Sequence, residues 1–154
     1  MSFENDLQYE LDTLEYVYKA IPKDFQIFKL DGKFLHYDLV MVSNLTGSIT
    51  TLEIKTDRMA SKTGNITIEY QCNNYLSGIS TSKANVWIYQ IEHKNIIQQL
   101  WILKSDLIDY IEKYSPKKIS GGDKKSAKMY LINLKHFINN TKLTQNIIKK
   151  NDKN

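Results

Sequence analysis

Hydrophobic and polar positions follow two different periods along the chain. Between Phe3 and Ile21, apolar residues recur at helical spacing, which predicts an amphipathic helix that ends before Pro22. Three stretches after it are short, apolar and rich in branched or aromatic side chains, and turn formers separate them. They predict a three-strand meander over residues 25–30, 34–42 and 48–56.

The second half of the chain predicts further strands at residues 85–91, 97–103 and 129–132, and helical segments at 106–114 and 134–138. A basic, glycine-containing loop is expected at residues 117–125. The order of elements predicts an α/β (α+β) fold with an N-terminal helix and a central mixed β-sheet flanked by helices. Residues 1–140 are expected to form one domain, and residues 141–154 a polar, basic and frayed tail.

A long polar segment separates the meander from the next confident strand. Residues 57–84 are rich in Ser, Thr, Asn and Gly, and residues 66–71 within them suit either a strand or the entry to a helix. Segments of this length in compact domains are usually functional or disordered. The backbone N–H groups of this segment can approach a phosphate, or the segment is an ordinary surface loop.

Composition and charge place the chain among ordinary globular proteins. Its 154 residues are 42% hydrophobic and 25% charged, and 21 Lys+Arg against 17 Asp+Glu give a formal net charge of +4. The six lysines at positions 117, 118, 124, 125, 128 and 135 suit either a DNA backbone or a solvated surface. The single Cys72 excludes an intramolecular disulfide, and no apolar run approaches the roughly 20 residues of a membrane span. We therefore expect a cytoplasmic protein without a membrane partner.

Three charged residues interrupt the second and third strands of the predicted meander. Glu53 and Lys55 point to the same face of one strand because side chains alternate, and Asp38 can approach Glu53 across the hairpin. Two adjacent carboxylates repel each other unless a proton or a cation separates them. Hard oxygen ligands favour Mg²⁺ or Mn²⁺, and the backbone carbonyl of Ile54 is a further candidate ligand. Lys55 is predicted to orient or deprotonate an attacking water.

Glu10 is a fourth candidate for the same site. It lies near the centre of the apolar stripe of the first helix, where a carboxylate needs a cation, a metal or hydrogen-bond donors. Either it supplies a third catalytic carboxylate and a ligand for a metal, or it snorkels at the edge of the stripe.

The order of Asp38, then Glu53-Ile54-Lys55, after an acid-bearing helix resembles the PD-(D/E)XK nuclease superfamily, although Tyr37 replaces the usual proline before the first acid. The segments 53–58, 63–69, 77–79 and 83–87, and further on 121–123 and 129–132, resemble a phage-type group of small, resolvase-like endonucleases. This resemblance covers residues 35–132. The resemblance implies a restriction-endonuclease-like core.

The same resemblance implies a Mg²⁺- or Mn²⁺-dependent DNA endonuclease that is encoded by a phage or mobile element. It would act on branched or phage and mobile-element DNA, with a homodimer as its active form. Asn65 and Glu69 would lie near the scissile phosphate, and Lys62 and Ser77 are further candidate substrate contacts. The alternative is a catalytically inactive nuclease-fold module that binds DNA or inhibits a partner, or a structural protein of a mobile element. The intact set of Asp38, Glu53 and Lys55 favours the enzyme.

Overall fold

The computed structural model describes residues 3–29 and 37–150, and the side chains of residues 11–29, 37–122 and 124–150. Within these residues the fold is mixed α+β, as the sequence predicts, with a mixed sheet and flanking helices. The α-helices are α1 (Phe3–Ala20), α2 (Ala60–Thr63), α3 (Lys104–Tyr114) and α4 (Leu134–Asn140). The strands are β1 (Phe25–Lys29), β2 (Leu39–Ser43), β3 (Ile49–Asp57), β4 (Asn65–Cys72), β5 (Tyr75–Leu76), β6 (Val86–His93), β7 (Ile96–Leu103), β8 (Lys117–Gly121), β9 (Ala127–Asn133) and β10 (Leu143–Lys149).

The described strands form two sheets. The first sheet has the order β1-β2-β3-β6-β7-β10, in which β3 and β6 are parallel and the other neighbours antiparallel. The second sheet has the order β5-β4-β9-β8 and is antiparallel. A parallel pair needs a crossover connection. Here that connection contains α2 and the β4–β5 hairpin, so the chain builds part of the second sheet between the two central strands of the first.

Successive side chains of β3 and β6 point to opposite sides of the first sheet, so its two faces differ. Helix α1 covers one face, where Val17 packs against Leu52 and Ile88. On the other face, Trp87 and Tyr89 join the larger core, which includes buried residues of the second sheet and of helices α3 and α4. The first sheet is therefore the central layer, and the space between the two sheets adjoins the charged residues of β3. No described helix is both long and apolar enough to cross a membrane.

Two features of the described chain differ from the sequence-based expectations. Residues 143–149, expected to be part of a frayed tail, form β10, and every residue of β10 pairs with β7. The expected basic loop begins with strand β8. Long-range pairing with neighbouring strands stabilises these polar segments, and local composition does not report such pairing. Residues 34–36 of the predicted second meander strand lie outside the described residues.

Candidate metal-binding and catalytic site

Strand β3 presents a row of charged side chains on one face. Glu53, Lys55 and Asp57 alternate with Ile54, which packs on the α1 side of the sheet. In the parallel register with β6, Glu53 lies beside Trp87. The charged row thus runs along a row of buried aromatic side chains, at the side of the sheet that faces the second sheet.

Asp38 joins this row through the backbone of β3. It precedes β2, and its own N–H donates to the Leu52 carbonyl oxygen at 2.8 Å. Its carboxylate oxygen Oδ2 accepts a hydrogen bond from the Ile54 N–H at 2.7 Å. The regular β2–β3 ladder ends at Leu39 opposite Leu52, so the Asp38 side chain continues the pairing where backbone pairing stops. This bond fixes Asp38 beside Glu53.

The same bond indicates the direction of the Ile54 carbonyl. In a strand, the N–H and C=O of one residue point to the same neighbouring strand, which is why antiparallel pairs exchange both bonds. The Ile54 N–H points towards Asp38, so its carbonyl oxygen also faces the Asp38 side of β3. Asp38, Glu53 and the Ile54 carbonyl therefore offer oxygen atoms at one end of the β2–β3 hairpin.

Glu53 and Lys55 form an ion pair with Oε1 and Nζ 2.6 Å apart. The Glu53 side chain is only 13% exposed, whereas that of Lys55 is 41% exposed. Burial raises the pKa of Glu53 above its ordinary value of 4.5; the charge and hydrogen bond of Lys55 oppose this shift, and the negative charge of Asp38 adds to it. A carboxylate whose pKa is raised in this way gains from a further cation nearby.

A cavity of about 190 Å³ lies next to this ion pair, between the two sheets. Lys55 forms part of its wall, and the Lys55 Nζ lies 5.5 Å from the centroid of the Trp87 ring. The indole Nε1 of Trp87 is buried and has no hydrogen-bond partner among the described residues. The other lining residues are Thr56, Asp57, Thr67, Glu69, Gly78, Tyr89 and Met129.

The far wall of the cavity is built around Glu69. Ser77 Oγ donates to Glu69 Oε1 at 2.7 Å, which fixes the orientation of this carboxylate. Gly78 follows with φ +52, and a Cβ at this position would lie 2.2 Å from the Glu69 carbonyl oxygen. Glycine is required here both for the left-handed backbone and for the close approach to β4.

Two more lining residues make hydrogen bonds that stabilise the fold. The Asp57 Oδ1 accepts the N–H groups of Met59 and Ala60 at 2.9 Å each and so stabilises the start of α2. The Tyr89 hydroxyl donates to the Thr67 carbonyl oxygen at 3.3 Å. Burial raises the pKa of Tyr89, with smaller contributions from the charges of Asp57 and Glu53, so this hydroxyl stays neutral and remains a donor.

The structure brings some of the predicted site residues together and separates others. Asp38, Glu53 and Lys55 are adjacent, and Glu69 with Ser77 lies across the cavity from Lys55. Two further candidates lie outside the cavity wall: Lys62 is exposed on α2, and Asn65 Nδ2 donates to the Thr63 carbonyl oxygen. The backbone of Glu10 belongs to α1, but its side chain lies outside the described residues.

Sequence reasoning missed several cavity residues. Asp57 and Thr67 were not singled out, although each lies two positions from a predicted site residue on the same strand and therefore on the same face. Trp87, which belongs to a predicted strand, is buried and also lines the cavity. Met129 comes from β9, and only the pairing of Met129 with Glu69 brings it to the site.

The donor atoms suit a hard divalent cation. Among the described residues, no group of three or more His, Cys, Asp or Glu side chains could hold a metal ion. A cation at the hairpin end would therefore rely on the Asp38 and Glu53 carboxylates together with the Ile54 carbonyl. All three donors are oxygen atoms, the ligand type that Mg²⁺ and Mn²⁺ prefer.

Comparison with known proteins adds no relative. The chain matches no protein-family model, no curated protein and no solved structure. Its function is therefore inferred from the chemistry and geometry of the site.

Proposed function

We propose that this protein is a Mg²⁺- or Mn²⁺-dependent DNA endonuclease of the PD-(D/E)XK type that hydrolyses phosphodiester bonds. The observation that carries the proposal is the Asp38 carboxylate bound to the Ile54 N–H, directly beside the Glu53–Lys55 ion pair. The end of one hairpin thus holds two acids, a backbone carbonyl and a lysine. A role of this group in hydrolysis of a polyanion explains it better than a purely structural role does.

In this proposal the metal ligands are Asp38, Glu53 and the backbone carbonyl of Ile54. The pKa of Glu53 is raised because the carboxylate is mostly buried, so a cation would favour its ionised form. When bound, a divalent ion lowers the pKa of its water and neutralises charge on the phosphoryl oxygens. Glu10 remains a candidate additional ligand.

Lys55 stands between the acids and the cavity. Its ammonium pairs with Glu53 and lies near the face of Trp87, which together direct it along the cavity wall. From there it can orient the attacking water and stabilise negative charge that develops on the phosphate. The water oxygen bonds to phosphorus and the water gives up a proton. The bond to the leaving sugar oxygen breaks, and that oxygen takes up a proton in exchange.

The topology is compatible with a restriction-endonuclease-like core. A helix precedes an antiparallel meander, and the third meander strand pairs in parallel with a later strand, β6. The crossover contains strands of a second sheet besides the short helix α2, so the likeness supports the proposal by analogy only. The proposal includes DNA as partner, branched or phage DNA as substrate, a homodimer as the active form and a cytoplasmic location.

A cleavage assay tests the proposal. Supercoiled plasmid, linear duplex and four-way-junction DNA are incubated with the protein in Mg²⁺, Mn²⁺ or EDTA. We expect cleavage that EDTA abolishes, and a loss of at least about 100-fold in Glu53→Gln and Lys55→Ala with DNA binding retained.

A second Glu–Lys pair provides the matched control. Glu15 and Lys19 form an exposed ion pair of 3.0 Å on α1, so Glu15→Gln and Lys19→Ala remove the same chemistry elsewhere and should leave cleavage unchanged. Full activity in the Glu53 or Lys55 variants would contradict the mechanism. DNA binding without cleavage of any substrate would identify a non-catalytic nuclease-fold module instead.

A further inference from the structure

The two hairpins of the second sheet end side by side. Asn73 and Asn74 form the two-residue turn between β4 and β5, with φ values of 48 and 65 that suit such a hairpin. The Asn73 N–H donates to the Ser126 carbonyl oxygen at 3.0 Å, which joins this turn to the connection between β8 and β9. We call residues 72–76 together with residues 121–128 the hairpin tip.

The hairpin tip exposes an aromatic and an aliphatic side chain. Tyr75 is 78% exposed and Leu76 is 68% exposed, on a two-residue strand at the edge of the second sheet as described. Both residues pair with β4, Tyr75 with Cys72 and Leu76 with Gln71. An exposed aromatic ring is a platform on which a flat ligand can stack.

The charge around this platform is positive. Residues 121–128 of the hairpin tip contain three lysines and one acid, Asp123. Lys124, Lys125 and Lys128 are exposed on the hairpin tip. An aromatic ring flanked by lysines complements a base with its neighbouring phosphates.

The hairpin tip is also connected to the candidate site. Ser77 directly follows Leu76 and binds Glu69 in the cavity wall. Tyr75 pairs with Cys72, three residues along β4 from Glu69. At about 3.3 Å per residue this is about 10 Å, the length of about three stacked nucleotides.

We propose that Tyr75 stacks on an unpaired base about three nucleotides from the phosphate at the cavity, while the lysines of the hairpin tip neutralise the flanking phosphates. The ligand is DNA with a single-stranded segment next to a duplex, because a base inside a duplex offers no free face. This inference rests on the proposed function and names the class of DNA that the site takes.

Equilibrium binding in EDTA tests this inference without cleavage. Fluorescence anisotropy compares a forked duplex that has single-stranded arms with a blunt duplex of equal length. We expect Tyr75→Ala to weaken binding to the fork about tenfold and to the blunt duplex less than twofold, within the range for removal of one base–aromatic stack. Tyr75→Phe, which keeps the ring, should bind both DNAs as the wild type does.

Tyr18 provides a matched control, since it is an exposed tyrosine on α1, 41% exposed. Tyr18→Ala should bind both DNAs normally. Equal losses on fork and blunt duplex, no loss in Tyr75→Ala, or a change of oligomeric state in Tyr75→Ala without a change in fork binding would overturn the inference. If the protein cleaves DNA with metal but Tyr75→Ala binds the fork with normal affinity, only the inference about Tyr75 is overturned. If the protein binds the fork selectively through Tyr75 but cleaves no DNA, only the proposed nuclease activity is overturned.

Discussion

The carboxylate of Asp38 and the backbone N–H of Ile54 are joined by a hydrogen bond of 2.7 Å. The bond spans two strands and lies where the regular ladder between them ends. It gives Asp38 a structural role, because its oxygen satisfies a strand N–H, and it brings a second acid to Glu53. The two roles can be separated by substitution.

Asp38→Asn and Asp38→Ala should differ in stability but not in activity. The amide oxygen of Asn can still accept the Ile54 N–H, whereas Ala leaves that N–H without its partner and should lower the free energy of unfolding by about 1 kcal/mol. Both variants lack the carboxylate and should lose DNA cleavage. Urea unfolding and cleavage rates measure the two effects; cleavage retained by Asp38→Asn would contradict a ligand role.

Glu53 should make the stability of the metal-free protein depend on pH. The folded pKa lies above the ordinary value of 4.5 because of burial, so the folded protein binds the proton more tightly than the unfolded chain. The free energy of unfolding should therefore fall as the pH rises from 4.5 through the raised pKa. Urea unfolding in EDTA at several pH values measures this slope. Glu53→Gln should lack this contribution, and an identical slope in wild type and variant would contradict the assignment.

Gly78 lies in the cavity wall, and Gly47 provides a matched control for it. Both have positive φ, but a Cβ at Gly78 meets the Glu69 carbonyl oxygen at 2.2 Å, whereas nothing lies within 4 Å of a Cβ at Gly47. Gly47→Ala should cost only the backbone strain, and Gly78→Ala should cost at least about 1 kcal/mol more. Thermal unfolding compares the two, and cleavage should fall in Gly78→Ala alone. Equal losses of stability would argue against the tight contact.

The lysines of the hairpin tip should contribute to DNA affinity through phosphate contacts. Replacing both Lys124 and Lys125 by Gln should lower the slope of log affinity against log salt by about 1.4 to 1.8. Binding titrations at several salt concentrations measure this slope. Lys23→Gln with Lys94→Gln removes two exposed lysines from other turns and should leave the slope unchanged. A slope in the Lys124→Gln, Lys125→Gln variant equal to that of the wild type would show that these two lysines make no phosphate contacts.

Local pattern was sufficient to predict much of the fold. The helical period before Pro22 predicts α1, and runs of branched and aromatic residues predict the strands that contain Glu53 and Trp87. The period of two also places Glu53 and Lys55 on one face, as described. These features depend on neighbours in the sequence, so the sequence is sufficient for them.

Features that depend on distant pairing could not be predicted. Strand β10 is polar and is stabilised by its pairing with β7, where Gln98 Nε2 donates to Gln145 Oε1 at 3.0 Å. The cavity needs the second sheet, whose β4–β9 pairing brings Met129 beside Glu69. No local period in the sequence reports which strands will meet. The sequence therefore names Glu69 and Ser77 as candidates but does not place them opposite Lys55.

The central claim is that Asp38, Glu53 and the Ile54 carbonyl hold a divalent cation. Anomalous diffraction from crystals soaked in Mn²⁺ tests it most directly. We predict one strong peak within about 2.0–2.4 Å of all three oxygen donors. A peak elsewhere, or no peak with the Glu53–Lys55 ion pair unchanged at saturating Mn²⁺, would contradict it.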